Sequence, residues 1–233
     1  MSFKINIGDR VLKKFSKKPE IALVVDSYFP IAEIIDFKGR GATLLEIRFD
    51  LLTESFDKKL EYVKEIKEKT SMGIIGTLRE NRENIDNRIS LFTRLIPFVD
   101  AVDIEIDAEI TKEVVKIAKN YEKVVIISEH DFNKMPSVNE LDMLVEKSLS
   151  LGADIVKIAA MASTIEETAR IMNYTYSSET PLITIAMGEL GGLSRVAGGY
   201  FGSLYTYTVK ESAVAPGQLA FNTLIKEIGK YYH

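Results

Sequence analysis

Apolar residues fall into short runs at a regular pace: 21–25, 43–47, 72–77, 101–106, 124–128, 154–159, 182–186 and 201–209. The spacing is about 20 to 30 residues, the length of a βα unit. Between the runs lie charged segments with helical periodicity, among them 56–70, 110–120, 138–151 and 164–176. In the first of these, Leu60, Val63 and Ile66 mark one apolar face, with lysine and glutamate elsewhere. Strands alternating with helices predict a parallel sheet covered on both faces. An eightfold count within 233 residues predicts that the α/β sheet closes into a (β/α)8 TIM barrel. The rival is an open doubly wound sheet, which usually carries a G-x-G-x-x-G turn after its first strand. Here that turn reads Asp26-Ser27-Tyr28-Phe29-Pro30 and does not fit. Residues 3–15, with Gly8-Asp9 in the middle, predict a β-hairpin closing the barrel bottom. No linker or low-complexity segment interrupts the pattern, so residues 1–233 are expected to form one domain.

Composition narrows the function classes. A net charge of −4 argues against wholesale nucleic-acid binding. There is no cysteine, which excludes disulfides and thiolate catalysis and is compatible with a reducing cytosol. The N-terminus, Met1-Ser2-Phe3-Lys4-Ile5, has no signal-peptide apolar core, and no apolar run reaches membrane-spanning length. A cytoplasmic protein without a membrane partner is expected.

Barrel active sites form at the C-terminal ends of the strands, so the polar residues there are the candidates. Lys157 stands in the apolar run Asp154-Ile155-Val156-Lys157-Ile158-Ala159-Ala160. Burial disfavours an ammonium and frees a nucleophilic amine; the alternative is a lysine snorkelling to a rim. His130 ends the preceding strand. Neighbouring parallel strands are about 4.8 Å apart, so an amine and an imidazole can meet over one substrate. Glu46 and Arg48 share a strand face, as either substrate ligands or a structural ion pair. Arg79 ends the third barrel strand, and Glu83 follows in a charged loop that could reach over the mouth or simply be solvated. Asp103, Glu105 and Asp107 have one parity. That pattern allows a cation site, but Asp107 is expected to cap the next helix and Glu105 to balance an interior cation. The glycine-rich stretch around Ser194-Arg195 suits a phosphate or a carboxylate, and Ala215-Pro216-Gly217-Gln218 precedes the last helix.

Taken in order, these segments resemble the type I 3-dehydroquinate dehydratase family. Glu46-Ile47-Arg48-Phe49-Asp50 resembles its Glu-x-Arg-x-Asp, and Thr77-Leu78-Arg79 with Glu83 its Thr-x-Arg-x-x-x-Glu. Ser128-Glu129-His130-Asp131-Phe132 resembles its Ser-x-His-Asp-Phe, and the Lys157 segment the stretch that carries its Schiff-base lysine. Met187-Gly188 through Ser194-Arg195, and Ala215 to Gln218, complete the set. The resemblance implies an imine between Lys157 and the C3 ketone of 3-dehydroquinate, with His130 as base and acid and Glu83 orienting it. It implies that Arg195 and Gln218 bind the substrate carboxylate and that Glu46, Arg48 and Arg79 hold the ring hydroxyls. Cationic surroundings would further favour the neutral Lys157 amine. A homodimer is implied, with no metal and no organic cofactor. Two departures stand out: Val214 where many members have a serine, and Asn84-Ile85 where glycines are common. The rival readings are a class I aldolase acting on a sugar phosphate, a non-catalytic barrel binding a small acid, and a metal-dependent lyase.

Overall fold

The computed structural model describes residues 4–211 and 215–232. At the N-terminus β1 (Ile5–Ile7) and β2 (Arg10–Leu12) pair antiparallel, with Ile7 opposite Arg10 across the turn. Gly8 has a φ of +58° in that turn, and a Cβ there would lie 2.7 Å from the Cα of Gly73. Glycine therefore allows the hairpin to seat against the first residue of a barrel strand. Ile7 and Leu12 are fully buried in the core inside the barrel. The hairpin thus closes the bottom, as the Gly8-Asp9 turn predicts.

The barrel strands are β3 (Glu20–Val25), β4 (Leu44–Arg48), β5 (Gly73–Thr77), β6 (Ala101–Glu105), β7 (Val124–Asp131), β8 (Ile155–Met161), β9 (Leu182–Met187) and β10 (Tyr205–Val209). They pair in parallel in the order β10-β3-β4-β5-β6-β7-β8-β9, which brings the last strand beside the first. The β9–β10 seam is bridged by the Leu204 N–H on the Leu182 carbonyl (3.0 Å) and the Thr184 N–H on the Ser203 hydroxyl (3.2 Å). The fold is a (β/α)8 TIM barrel. β10 starts later than the apolar run suggests. Residues 198–201 form a 3-10 turn, and Gly202, at φ +91°, redirects the chain into the strand.

The connecting helices are α1 (Ile31–Gly39), α2 (Phe56–Thr70), α3 (Arg88–Leu95), α4 (Thr111–Asn120), α5 (Val138–Ser150), α6 (Ile165–Ser177), α7 (Gly192–Ala197) and α8 (Phe221–Tyr231). α2 buries the predicted face, Leu60, Val63 and Ile66. Capping boxes, Ser137 with Glu140 and Thr164 with Glu167, start α5 and α6. Asp107 does not cap a helix, contrary to expectation. α4 begins only at Thr111, whose hydroxyl donates to the Glu105 and Ala108 carbonyls, while Asp107 pairs with Lys147 at the surface.

Strand periodicity divides the apolar residues into two cores. Leu23, Ile47, Ile74, Ile104 and Ile127 face outward and pack on helices through Val63, Phe92 and Val114. Val24, Leu44, Ile75, Ile126 and Ile155 face inward above Ile7 and Leu12. On β4 to β8 the inward positions one or two steps further along are polar, and they build the site.

Candidate active site

A cavity of about 360 Å³ opens at the C-terminal end of the barrel, lined by Glu46, Arg48, Arg79, Glu105, His130, Lys157, Tyr207, Arg195 and Gln218, among others. Lys157 lies deep within it and is only 4 % exposed. Its Nζ donates to Asp103 Oδ2 at 2.9 Å and lies 3.5 Å from Glu46 Oε1. The expected cationic surroundings are therefore corrected: two carboxylates reach the amine directly, and the nearby cations are themselves tied to acids. Glu46 also accepts from the Thr77 hydroxyl at 2.9 Å.

Asp103 is the hub of this layer. It is fully buried and accepts from Lys157, from Arg79 Nη2 (2.8 Å) and from the Ser128 hydroxyl (2.6 Å). Burial alone would raise its pKa. The positive charges of Arg79 and Lys157, with the Ser128 bond, overcome that and hold it well below the ordinary carboxylate range. For Arg79, burial works against the cation, but Asp103, Glu105 and Glu46 hold its pKa above the ordinary value. Glu105 pairs in turn with Arg88, which is 2 % exposed, so it does balance an interior cation. Arg48 is held by Asp50 through two bonds, Nε–Oδ1 at 3.1 Å and Nη2–Oδ2 at 2.6 Å. Among the described residues no group of three or more acids and histidines is arranged to hold a metal ion.

His130 lies nearer the mouth than Lys157. In the β7–β8 ladder Lys157 is opposite Ser128 and His130 opposite Ala159, so the imidazole stands one inward step above the amine. Its ring stacks on Phe132, with centroids 6.4 Å apart. Burial, then the charges of Lys157 and Arg79, push its pKa well below the ordinary value, with Asp103 opposing. The ring is therefore neutral at neutral pH and can accept a proton.

Glu83 is the expected site residue that the structure does not bring in. It is exposed, does not line the cavity, and its charge acts on Lys59. The reason is its neighbour Asn84, which is 5 % exposed. The Asn84 amide donates to the Arg79 carbonyl at 2.8 Å and its oxygen accepts the Asn81 N–H at 3.0 Å. The Asn81 side chain accepts the Glu83 and Asn84 N–H groups at 3.0 Å each. These bonds wind the segment into turns with Asn84 inward and Glu83 outward. Replacing glycine by Asn84 matters more to the position of the glutamate than the sequence suggests.

Arg195, on α7, approaches the cavity from the other side. It is 3 % exposed, and Nη2 donates to the Pro216 carbonyl at 3.1 Å. Its Nε has no hydrogen-bond partner, and no acid among the described residues pairs with it. Burial pushes its pKa down to about 10. The turn 215–218 is seated against the residue after β9: Gly217 has φ +71°, and a Cβ there would lie 2.4 Å from the Gly188 carbonyl oxygen. Gln218 lines the cavity beside Arg195. Val214 lies outside the described residues. Gly191 is a packing glycine, since a Cβ there would lie 2.0 Å from the Ala186 carbonyl oxygen. The sequence reading leaves out Tyr207, Thr77 and Ser128 as site residues. Their signal was parity: each shares the inward face of its strand with a residue already singled out or with the cavity.

Fold and site together define a (β/α)8 barrel enzyme site with a buried amine, a neutral imidazole and a buried arginine that no acid among the described residues pairs with. The model of the family described as type I 3-dehydroquinase matches residues 21–230. A 3-dehydroquinate dehydratase of Hydrogenobaculum is 34% identical over 202 residues, covering 84% of this chain and 91% of that protein. The Methanosarcina barkeri 3-dehydroquinate dehydratase is 34% identical over 239 residues, covering 95% and 97%. The crystal structure of the type I enzyme from Clostridium difficile, solved with covalently modified comenic acid, superposes with a TM-score of 0.84 at 26% identity, covering 100% of this chain and 99% of that one. The chain belongs to the type I 3-dehydroquinase family.

Proposed function

We propose that the protein is a 3-dehydroquinate dehydratase, a hydro-lyase of the shikimate pathway acting through an imine on Lys157. The observation that carries this reading is the pairing of a buried lysine with a neutral histidine one strand step above it. Lys157 Nζ attacks the C3 ketone, and the ketone oxygen leaves as water. The imine draws electrons from the ring, so the C2 proton becomes acidic and His130 removes it. The C1–O bond then breaks, the hydroxyl departing with the proton that His130 returns, and hydrolysis of the conjugated imine releases 3-dehydroshikimate. Asp103 accepts from the Lys157 Nζ and Glu46 lies 3.5 Å from it, so both stand beside the cationic imine nitrogen.

Arg195 and Gln218 hold the substrate carboxylate in this reading. A guanidinium buried without an acid supports an anionic ligand there, and a planar fork fits a carboxylate. It also favours this substrate over a sugar phosphate, because the neighbouring glycine Gly191 serves chain packing. Glu46, Arg48 and Arg79 line the cavity as the hydroxyl ligands. Glu83 is exposed and does not line the cavity, so it takes no part in this scheme; a Glu83→Gln variant with wild-type kcat removes it from the mechanism. The protein works as a cytoplasmic homodimer in this reading, which sedimentation of the purified chain tests. The test of the chemistry is borohydride reduction with 3-dehydroquinate. A mass adduct on Lys157 and loss of turnover in Lys157→Ala are expected; no adduct, or an active Lys157→Ala, refutes the imine.

A further inference from the structure

Tyr207 touches the reacting amine and has no part in the scheme above. It is an inward residue of β10, 3 % exposed, and the Lys157 Nζ stands over its ring, 4.3 Å from the centroid. The ring is fixed in place. Its hydroxyl lies 3.1 Å from that of Tyr205, two residues earlier on the same face, and the two rings meet edge to face at 5.2 Å. Burial pushes both phenols well above their ordinary pKa, so Tyr207 is a neutral ring and not a phenolate. The amine is thus contacted by Asp103, by Glu46 and by a π face.

We propose that Tyr207 is a further catalytic residue for the imine steps, its ring face stabilising the positive charge that arises on the Lys157 nitrogen. The proposal rests on the Schiff-base reading. When the carbinolamine loses water, the C–O bond breaks and the oxygen leaves with a proton that His130 takes up from solvent and passes on. The nitrogen lone pair becomes the second C–N bond, and the nitrogen carries the positive charge over the ring. An aromatic quadrupole attracts a cation at this range, and more strongly in a dry site. The uncharged carbinolamine gains little from the ring, so the ring shifts the balance toward the iminium. The edge-to-face contact with the Tyr205 ring keeps the face turned to the nitrogen.

Three variants separate the ring face from the hydroxyl and from simple packing. Tyr207→Phe keeps the face, Tyr207→Leu removes it, and Tyr207→Met removes it with a longer, adaptable side chain that fills more of the space. All three leave the Tyr205 hydroxyl equally unpaired. Borohydride trapping with 3-dehydroquinate and steady-state kinetics are the readouts. Tyr207→Phe is expected within about threefold of wild type, and Leu and Met about tenfold lower in kcat and in trapping rate, with KM little changed. Phenylalanines of increasing ring fluorination at position 207, which weaken the quadrupole at nearly constant shape, should lower trapping stepwise. The proposal is overturned if folded Leu and Met variants trap and turn over like Phe, or if fluorination changes nothing. Absence of an adduct in the wild type is a separate outcome, and it removes the Schiff-base reading itself.

Discussion

Arg195→Met should make the protein more stable and nearly inactive at once. The guanidinium is buried with a single carbonyl partner and an unpartnered Nε, and burial pushes its pKa down to about 10. At about 1.4 kcal/mol for each tenfold change in proton affinity, that displacement from the ordinary arginine value corresponds to a cost of about 3 kcal/mol for keeping the charge in place. Methionine retains an apolar stem and removes the charge. The loss of the bond to the exposed Pro216 turn offsets about 1 kcal/mol of the gain. A net stabilisation of about 1–2 kcal/mol follows, seen as a Tm higher by about 2–8 °C for a domain of this size. The substrate carboxylate loses a charge-assisted fork in a dry site, about 3 kcal/mol or more, so kcat/KM should fall at least on the order of 100-fold, mainly through KM. Thermal melts and the absorbance of the enone product measure the two effects. Quinate, which has the carboxylate but no ketone, should raise the wild-type Tm and leave the variant unmoved. A variant that melts below wild type, or that still binds quinate, would show that Arg195 is a structural cation with no role in anion binding.

Other groups give independent checks. The chain has two histidines, so in a His233→Ala background one imidazole remains for NMR titration. His130 should stay neutral well below pH 6.5, and Lys157→Met should raise its pKa by removing one of the positive charges that depress it. Because the unfolded chain takes up that proton first, His130 makes stability fall as pH drops below about 6.5. Asp103→Asn should cost about 3–5 kcal/mol in urea unfolding, since Arg79 and Lys157 both lose their nearest buried counter-charge. With its folded pKa depressed, Asp103 stabilises the fold above about pH 3.9, and that contribution fades as pH falls further toward the folded value. Lys14→Met should lower stability by about 1–3 kcal/mol while leaving kcat unchanged. Its Nζ donates to the Thr175 and Tyr176 carbonyls at the end of α6 and so ties the hairpin segment to the barrel wall far from the site.

The barrel was legible because its signal is redundant. Each apolar run is bounded by charged, helix-periodic sequence, and an error at one end, such as the start of β10, leaves the count of strands intact. Lys157 was legible because no surface strand would carry it, and His130 because it ends the adjacent strand. Their vertical offset was not, since ladder register depends on how both strands are staggered around the barrel. Glu83 went astray for a different reason. Loop conformation is decided by side-chain bonds to backbone, and the Asn81 and Asn84 bonds that turn Glu83 outward have no periodic signature. Asp103 showed its parity but not its purpose, because an interior acid can serve a metal, a substrate or a neighbouring cation, and only the contacts with Arg79, Ser128 and Lys157 decide among them.

Those contacts reveal a rule for the whole cavity. Lys157 has Asp103 and Glu46, Arg79 has Asp103, Arg48 has Asp50, and Arg88 has Glu105. Buried charges persist when paired, because the attraction offsets the desolvation of each. Arg195 breaks the rule among the described residues, and it does so at the end of the cavity opposite the acids. A monoanionic substrate would restore it by bringing one carboxylate to that end. The same asymmetry sets the orientation of binding. In the proposed reading the carboxylate is drawn to Arg195 and repelled by Asp103 and Glu46, which leaves the ketone facing Lys157 beneath His130. Reversed binding would bury the carboxylate against two acids and leave Arg195 unpaired, a double cost under the same rule. In the proposed reading, charge balance in the cavity therefore selects both the class of ligand and the end of it that reaches the amine.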